Sequence, residues 1–355
     1  MRVSSEQRGK NALFALAIGD ALGWPAFYHR TYTLPFWTRR LRREIDVAQE
    51  EQGIVRFPMP FSLNRPTEAL QFAPTDDTEW ASFTMESLIE TGGHLTSAHI
   101  LQKWRALLEQ DGVRGTISLM GALHNLRRGS QPPVTGSDNA HYFDDSACLR
   151  AIPIGVLWQG EREQILSMVE LDASVTNSSD GLWAAQALGV TIGALCSGSS
   201  LEAAIQLGQE VLPADSWVAR VVQEGMKIVE ESKETPAFGL IPKLDRLINK
   251  EYSYGGAAPE VLALAYSIAI LVEGDIEQGM LYSLAFPKLA DSLPAIVGAL
   301  CGANSSLPSR YLEEWLPIIS KLQGICLPDL AGKNYLELVE ELVALGANLA
   351  QAEWR

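Results

Sequence analysis

Apolar residues recur at helical spacing along most of the chain. In GKNALFALAIGDALG, Leu13, Leu16, Ala17 and Ala21 share one face. In EWASFTMESLIETGG, Ala81, Met85, Leu88 and Ile89 do the same, and Gly92-Gly93 supplies a stop signal. The pattern returns over residues 96–110, 115–129, 181–198, 200–212, 216–232, 259–274, 291–303, 308–322 and 334–350. Two-residue alternation is scarce. Its best instance, GIVRFPMPFSL, is broken by two prolines and reads as a loop or edge segment. Residues 28–74, rich in Arg, Pro and aromatics, and residues 129–145 carry no period, and irregular stretches of that length tend to be functional or mobile. With no fixed-period repeat and no Pro/Gly/Ser linker, the pattern predicts one all-α domain over residues 1–355, built from about a dozen helices.

Composition narrows the partners. Of 355 residues 47% are apolar, enough for a sizeable core, while 28 Lys and Arg against 43 Asp and Glu leave a formal charge of −15. So acidic a surface repels phosphate backbones and anionic lipid, so nucleic acid and membrane surfaces are poor partners. An anionic small ligand needs a local cation. The four cysteines, Cys148, Cys196, Cys301 and Cys326, stand far apart in apolar settings with no C-x-x-C pair, as buried thiols of a reducing cytoplasm do. The apolar run 12–18 is too short for a signal peptide, and 261–272 is too short to span a bilayer. These features predict a cytoplasmic protein.

The segment PTDDTEWA sets two adjacent carboxylates before a helical pattern. One reading makes Asp76 an N-cap with Glu79 at N3, and lets Asp77 favour the positive end of the helix dipole. The other makes Thr75, Asp76 and Asp77 oxygen ligands of a hard cation, which would neutralise two neighbouring charges. A diphosphate-binding D-D-x-x-D/E motif is a poor fit, because Trp80 stands where the last acid belongs. The five histidines lack H-E-x-x-H spacing, and neither G-x-S-x-G nor a P-loop occurs.

Five segments in order, IGDALGWP (18–25), PTDDTEWA (74–81), ACLRAIPIGVLW (147–158), APEVLALAYS (258–267) and ADSLPAIVGALCGANSSLPSRYLEEW (290–315), resemble the ADP-ribosylglycohydrolase family, the relatives of dinitrogenase reductase-activating glycohydrolase. That resemblance implies a compact orthogonal helical domain whose central cleft holds Mg²⁺ or Mn²⁺. The implied activity is hydrolysis of a ribosyl glycosidic bond, with ADP-ribose or an ADP-ribosylated protein as partner. Carried onto this chain, the metal ligands become Thr75, Asp76, Asp77, Asp291 and Ser292. Asp76, Asp77 and Asp291 become catalytic, and Asp20, Trp24 and Arg150 fall to substrate contact. Asp20 has the alternative of a hydrogen-bonding role at a helix end or behind the metal ligands. Trp24, Phe27 and Tyr28 alternatively belong to the core. Asp144 and Asp145 read as solvated loop acids, and Glu44, Glu50 or Glu51 are candidate acid or base groups.

The family pattern breaks at four places. Its G-G-D reads Pro287-Lys288-Leu289, so one metal-binding aspartate becomes leucine, and the asparagine upstream becomes Ala285. N-G-x-x-M-R becomes Asp145-Ser146-Ala147-Cys148-Leu149-Arg150, and Thr-His becomes Thr176-Asn177. One lost carboxylate favours a single bound ion over two. Lys288 has two options, to fill part of the vacated cationic volume or to reach solvent. The alternatives to a hydrolase of the family type are a degenerate relative that binds a ligand or protein, and an enzyme of the same fold turned to another substrate.

Overall fold

The computed structural model describes residues 3–33, 72–232, 235–251 and 254–353; the side chains of residues 24–33 lie outside that description. The described residues form an all-α fold of sixteen α-helices with short 3₁₀ and π segments. In chain order the helices are α1 (Ser5–Thr33), α2 (Asp76–Glu90), α3 (Ser97–Ala106), α4 (Ile117–Arg127), α5 (Val134–Ser137), α6 (Ser146–Leu157), α7 (Arg162–Ala173) and α8 (Ser179–Cys196). They continue with α9 (Leu201–Gln209), α10 (Trp217–Glu230), α11 (Ala237–Leu244), α12 (Ala258–Leu271), α13 (Ile276–Ser283), α14 (Leu293–Asn304), α15 (Leu316–Ile319) and α16 (Tyr335–Glu353). Extended pairing among them is limited to two isolated bridges, Asp144 with Ala257 and Lys321 with Asn334.

Several helices lie wholly inside the protein. Every residue of α6 is buried, and so are the first twelve of α12. Such helices are apolar all round rather than along one stripe. α8 packs against α6, α7, α9 and α12, while α10 rests on α12 and α2 on α6. The buried apolar side chains form one connected cluster, from Ala12 on α1 to Val343 on α16. All four cysteines are free and buried.

The contact that matters most for function is between α1 and α14. A Cβ at Gly19 would lie 2.1 Å from the Pro294 carbonyl oxygen, and one at Gly23 would lie 2.2 Å from that of Ala290. Two glycines one turn apart therefore let the backbone of α1 touch the start of α14. Asp20 lies between them, and Asp291 lies at the facing end of α14. The two glycines of GDALG thus serve close packing rather than a turn: α1 runs on to Thr33 and takes in 28–33, part of the stretch expected to be irregular.

Trp80 sits in an aromatic cluster. It stacks on Trp104 at 5.5 Å and 15°, with Phe83 edge-on to both rings. A core tryptophan at the fifth residue of α2 excludes the diphosphate-type motif considered above. No described helix is long and apolar enough to cross a membrane.

Candidate functional site

The N-terminus of α2 is capped from another helix. The buried Asp20 carboxylate on α1 accepts the backbone N–H of Thr75 at 2.7 Å and of Thr78 at 3.1 Å, and both threonine hydroxyls donate to it. Thr75 is the N-cap residue, and its own side chain makes no capping bond. The capping role expected of Asp76 thus belongs to Asp20, which lies within a continuous helix and not at the end of one. Burial pushes the Asp20 carboxyl up to about 6, against the opposing pull of its hydrogen bonds from Thr75 and Thr78.

Glu79 is not the other half of a capping box. Fully buried, it accepts N–H groups from Ile325 (2.8 Å), Cys326 (2.7 Å) and Leu327 (3.0 Å). It pins that distant loop against α2. Arg114 N, in turn, donates to the Cys326 carbonyl at 2.8 Å, which joins the loop to the approach to α4.

With those tasks taken by Asp20 and Glu79, Asp76 lines a cavity of about 330 Å³ together with Asp145, Asp291, Arg114, Tyr254 and Cys326. Asp77 is buried beside it, and its Oδ2 has no hydrogen-bond partner. Burial, then the charges of Asp76, Asp20, Asp291 and Asp145, raise the Asp77 pKa well above the usual carboxylate range. Five aspartates from four parts of the chain therefore meet here, four of them acting on Asp77. Ser292, next to Asp291, is the buried N-cap residue of α14.

Two of the expected contacts are engaged elsewhere, and a third falls outside the described side chains. Arg150 is fully buried and away from the cavity. Its Nε donates to Asp172 at 2.7 Å and its Nη2 to Thr176 Oγ at 2.7 Å, and its guanidinium lies over the Trp104 ring. It is a core ion-pair residue rather than a substrate contact. Lys288 takes neither role expected of it: its Nζ donates to Glu260 at 2.8 Å and to the Asn249 carbonyl at 2.7 Å. The side chain of Trp24, like those of Phe27 and Tyr28, lies outside the described residues, as do Glu44, Glu50 and Glu51.

Asp144 and Asp145 were expected in solvent but are both buried. Asp144 accepts from Thr116 Oγ at 3.1 Å, from Ser146 N at 2.7 Å, and from the Tyr254 hydroxyl. The hint available in the sequence was their position immediately before a strongly apolar helix, where a buried N-terminal turn requires acceptors.

Among the described residues no three Asp, Glu, His or Cys side chains stand close enough to form a finished metal cage. The donor chemistry still fits a hard divalent cation. The cavity acids offer only oxygen, and Asp77 Oδ2, close to them, is a buried acceptor without a donor. Asp20 also engages the Thr75 hydroxyl proton, which leaves that oxygen's lone pairs for a ligand.

The scaffold and cleft define an all-α protein with an acid-lined pocket at the junction of three helix starts. Residues 1–347 match the profile of the ADP-ribosylglycohydrolase family, and the chain belongs to that family. It is 26% identical over 316 residues to an uncharacterized protein of Archaeoglobus fulgidus, a match covering 87% of this chain and 91% of that protein. Its fold is similar to a solved structure titled ADP-ribosylglycohydrolase-related protein complex, with a TM-score of 0.57, 20% identity, and coverage of 97% of this chain and 98% of that one. The family supports glycosidic hydrolase activity in general.

Proposed function

We propose that the protein is a metal-dependent hydrolase of an ADP-ribosyl or related ribosyl glycosidic bond, acting on an ADP-ribose-type small molecule or an ADP-ribosylated protein. The observation that carries this reading is the placement of Asp76, Asp145 and Asp291 around one cavity, with Asp77 buried within reach of their charges, in a chain of this family. Thr75, Asp76, Asp77, Asp291 and Ser292 would hold one Mg²⁺ or Mn²⁺. When bound, that ion supplies positive charge to ribose hydroxyls and to a nucleophilic water.

The remaining work belongs to the protein. Asp20 fixes the start of α2 through four hydrogen bonds and so orients Thr75 and Asp76. Glu79 holds the loop that brings Ile325 and Cys326 into the cavity wall. Arg114 lines the same cavity, and its guanidinium would suit an anionic group such as a phosphate.

One observation favours a second reading, a ligand-binding relative without turnover: Leu289, at the place of the acid that the resemblance leads one to expect, is fully buried. Release of ADP-ribose from arginine-, serine- and acetyl-linked substrates, with and without Mg²⁺, separates the two. The hydrolase reading expects Mg²⁺-dependent release that Asp76→Ala or Asp291→Ala reduces by at least about a thousandfold, the scale of losing a metal-held nucleophile. Full activity in either variant ends this mechanism.

A further inference from the structure

We infer that the exposed face of α4 is a docking surface for an acidic polypeptide segment with apolar side chains, the stretch that flanks the modified side chain of a protein substrate. This rests on the reading just proposed, and it selects a modified protein over a small molecule as what reaches the cavity. At about 100° per residue, Ile117, Met120, His124, Arg127 and the C-cap Arg128 share one side of the helix. All five are exposed, whereas Leu119, Ala122, Leu123 and Leu126 are buried against the core. The exposed face begins at the cavity, which Arg114 and Ile117 line. From Ile117 to Arg128 it runs about 17 Å, the length of about five extended residues.

Charge on this face is opposite to that of the chain. Residues 112–137 hold three arginines and one histidine but no Asp or Glu, in a chain of formal charge −15. No ion pair among the described residues uses Arg114, Arg127 or Arg128. Arg127 and Arg128 stand at the helix end where a cation suits the dipole. Arg114 stands before the other end, where an acid is favoured, so the helix does not account for it.

Apolar side chains lie between the arginines. Ile117 is 50% exposed and Met120 42%, and Val134, on the α5 helix packed against α4, is exposed as well. Of the eight large apolar side chains exposed among the described residues, four fall between residues 117 and 142. Such side chains scattered singly need no explanation, but gathered beside unpaired arginines they have the composition of a contact surface. The cavity end of the face is firmly held, because Arg114 N donates to the Cys326 carbonyl at 2.8 Å and Thr116 Oγ donates to Asp144 at 3.1 Å.

The occupant follows from complementarity. Carboxylates match the arginines, and apolar side chains match Ile117 and Met120. Nucleic acid would meet the same arginines but gain nothing from the apolar part, and the net charge of the chain opposes it. A segment lying along α4 brings its modified side chain to the cavity at one end.

The test measures fluorescence anisotropy of three labelled probes with the full-length chain: a peptide of Glu, Ser and Leu, its counterpart with Lys in place of Glu, and single-stranded DNA. Wild type should bind the acidic peptide at least about tenfold more tightly than the basic one, by a margin that shrinks as salt is added. Arg127→Glu combined with Arg128→Glu should weaken the acidic peptide at least about tenfold, since like charges then face each other. Met120→Glu should weaken it too, and supplies the answer should the double variant not fold. Arg127→Lys with Arg128→Lys should keep most of the binding. Turnover is read with the acidic peptide carrying ADP-ribose on an arginine, set against ADP-ribosyl-arginine alone; the peptide should have the lower KM, and the charge-reversed variant should lose that advantage. If ADP-ribose is released but the acidic peptide neither binds better than the basic one nor lowers KM, the inference is overturned and the hydrolase reading stands. DNA binding tighter than the acidic peptide, or reversed variants that bind it as wild type does, overturns the inference as well. Peptide binding that the variants lose, in a protein that releases ADP-ribose from neither substrate, upholds the docking surface and removes the hydrolase reading.

Discussion

Asp77 and Glu79 stand two residues apart on α2, and both are buried acids. Glu79 receives three backbone N–H groups at 2.7–3.0 Å, whereas Asp77 Oδ2 receives none and faces other carboxylates. The difference extends to whole regions. In the core, Asp172 meets Arg150 and Glu260 meets Lys288, each at hydrogen-bond distance. Around the cavity the acids raise one another's cost. Buried charge is ordinarily matched by a partner in the fold. Asp77 Oδ2, buried with no hydrogen-bond partner, is suited to a partner that arrives with the opposite sign, and that asymmetry separates Asp77 from the acids that hold the fold.

The comparison breaks if core acids tolerate losing their partners. Arg150→Leu leaves Asp172 buried without its counter-ion, and a loss of about 3–5 kcal/mol is expected in urea unfolding. Removing both, with Asp172→Leu in the same chain, should recover most of that loss, because no uncompensated charge remains. An unchanged Arg150→Leu protein would mean that the ion pair does not hold the core. Glu79→Ala comes next. It strips the acceptor from three N–H groups of the 325–327 loop at a cost of about 3 kcal/mol. Hydrogen exchange should report it locally, through faster exchange at Ile325, Cys326 and Leu327.

How much of this division was legible in the sequence follows from the reach of each signal. The long apolar helices show themselves because every turn repeats the pattern. The four-residue α5 and the eight-residue α11 and α13 are too short for a period, which is part of why about a dozen helices were expected where sixteen form. α6 hides for another reason: it is buried on all sides and contains Pro153, so no stripe marks it. The Thr75–Asp77 segment stood out in the sequence as a candidate site because its residues are contiguous. Asp145, Arg114 and Tyr254 reach the same cavity from separate loops, and only tertiary contact joins them. Arg150 misled because an arginine before an apolar run fits a ligand contact as well as a core ion pair. Its partner, Asp172, lies a helix away and has no pattern of its own. Asp76 was given a capping role because local signals cannot include a cap donated by Asp20 from 55 residues earlier.

The smallest expected effect sharpens the comparison most, because its sign is opposite. Asp77→Asn keeps the shape of the side chain and removes a charge that the metal-free fold accommodates poorly. Metal-free protein should therefore gain about 1 kcal/mol, the scale on which relaxing a functional site stabilises a fold. The pH dependence has a definite direction. Burial and like charge raise the Asp77 pKa in the fold, so the native state binds its proton more tightly than the unfolded chain does. Metal-free stability from this group is complete at low pH and is lost as pH rises through the raised value. The variant, with nothing to titrate at that position, should lose that part of the slope, and its advantage over wild type should grow with pH. Saturating Mg²⁺ should reverse the order, since wild type then gains binding energy that the variant lacks. Thermal unfolding of both proteins across pH, in EDTA and in Mg²⁺, reads all of this. An Asp77→Asn protein less stable than wild type in EDTA would place Asp77 with Glu79 among the acids that hold the fold.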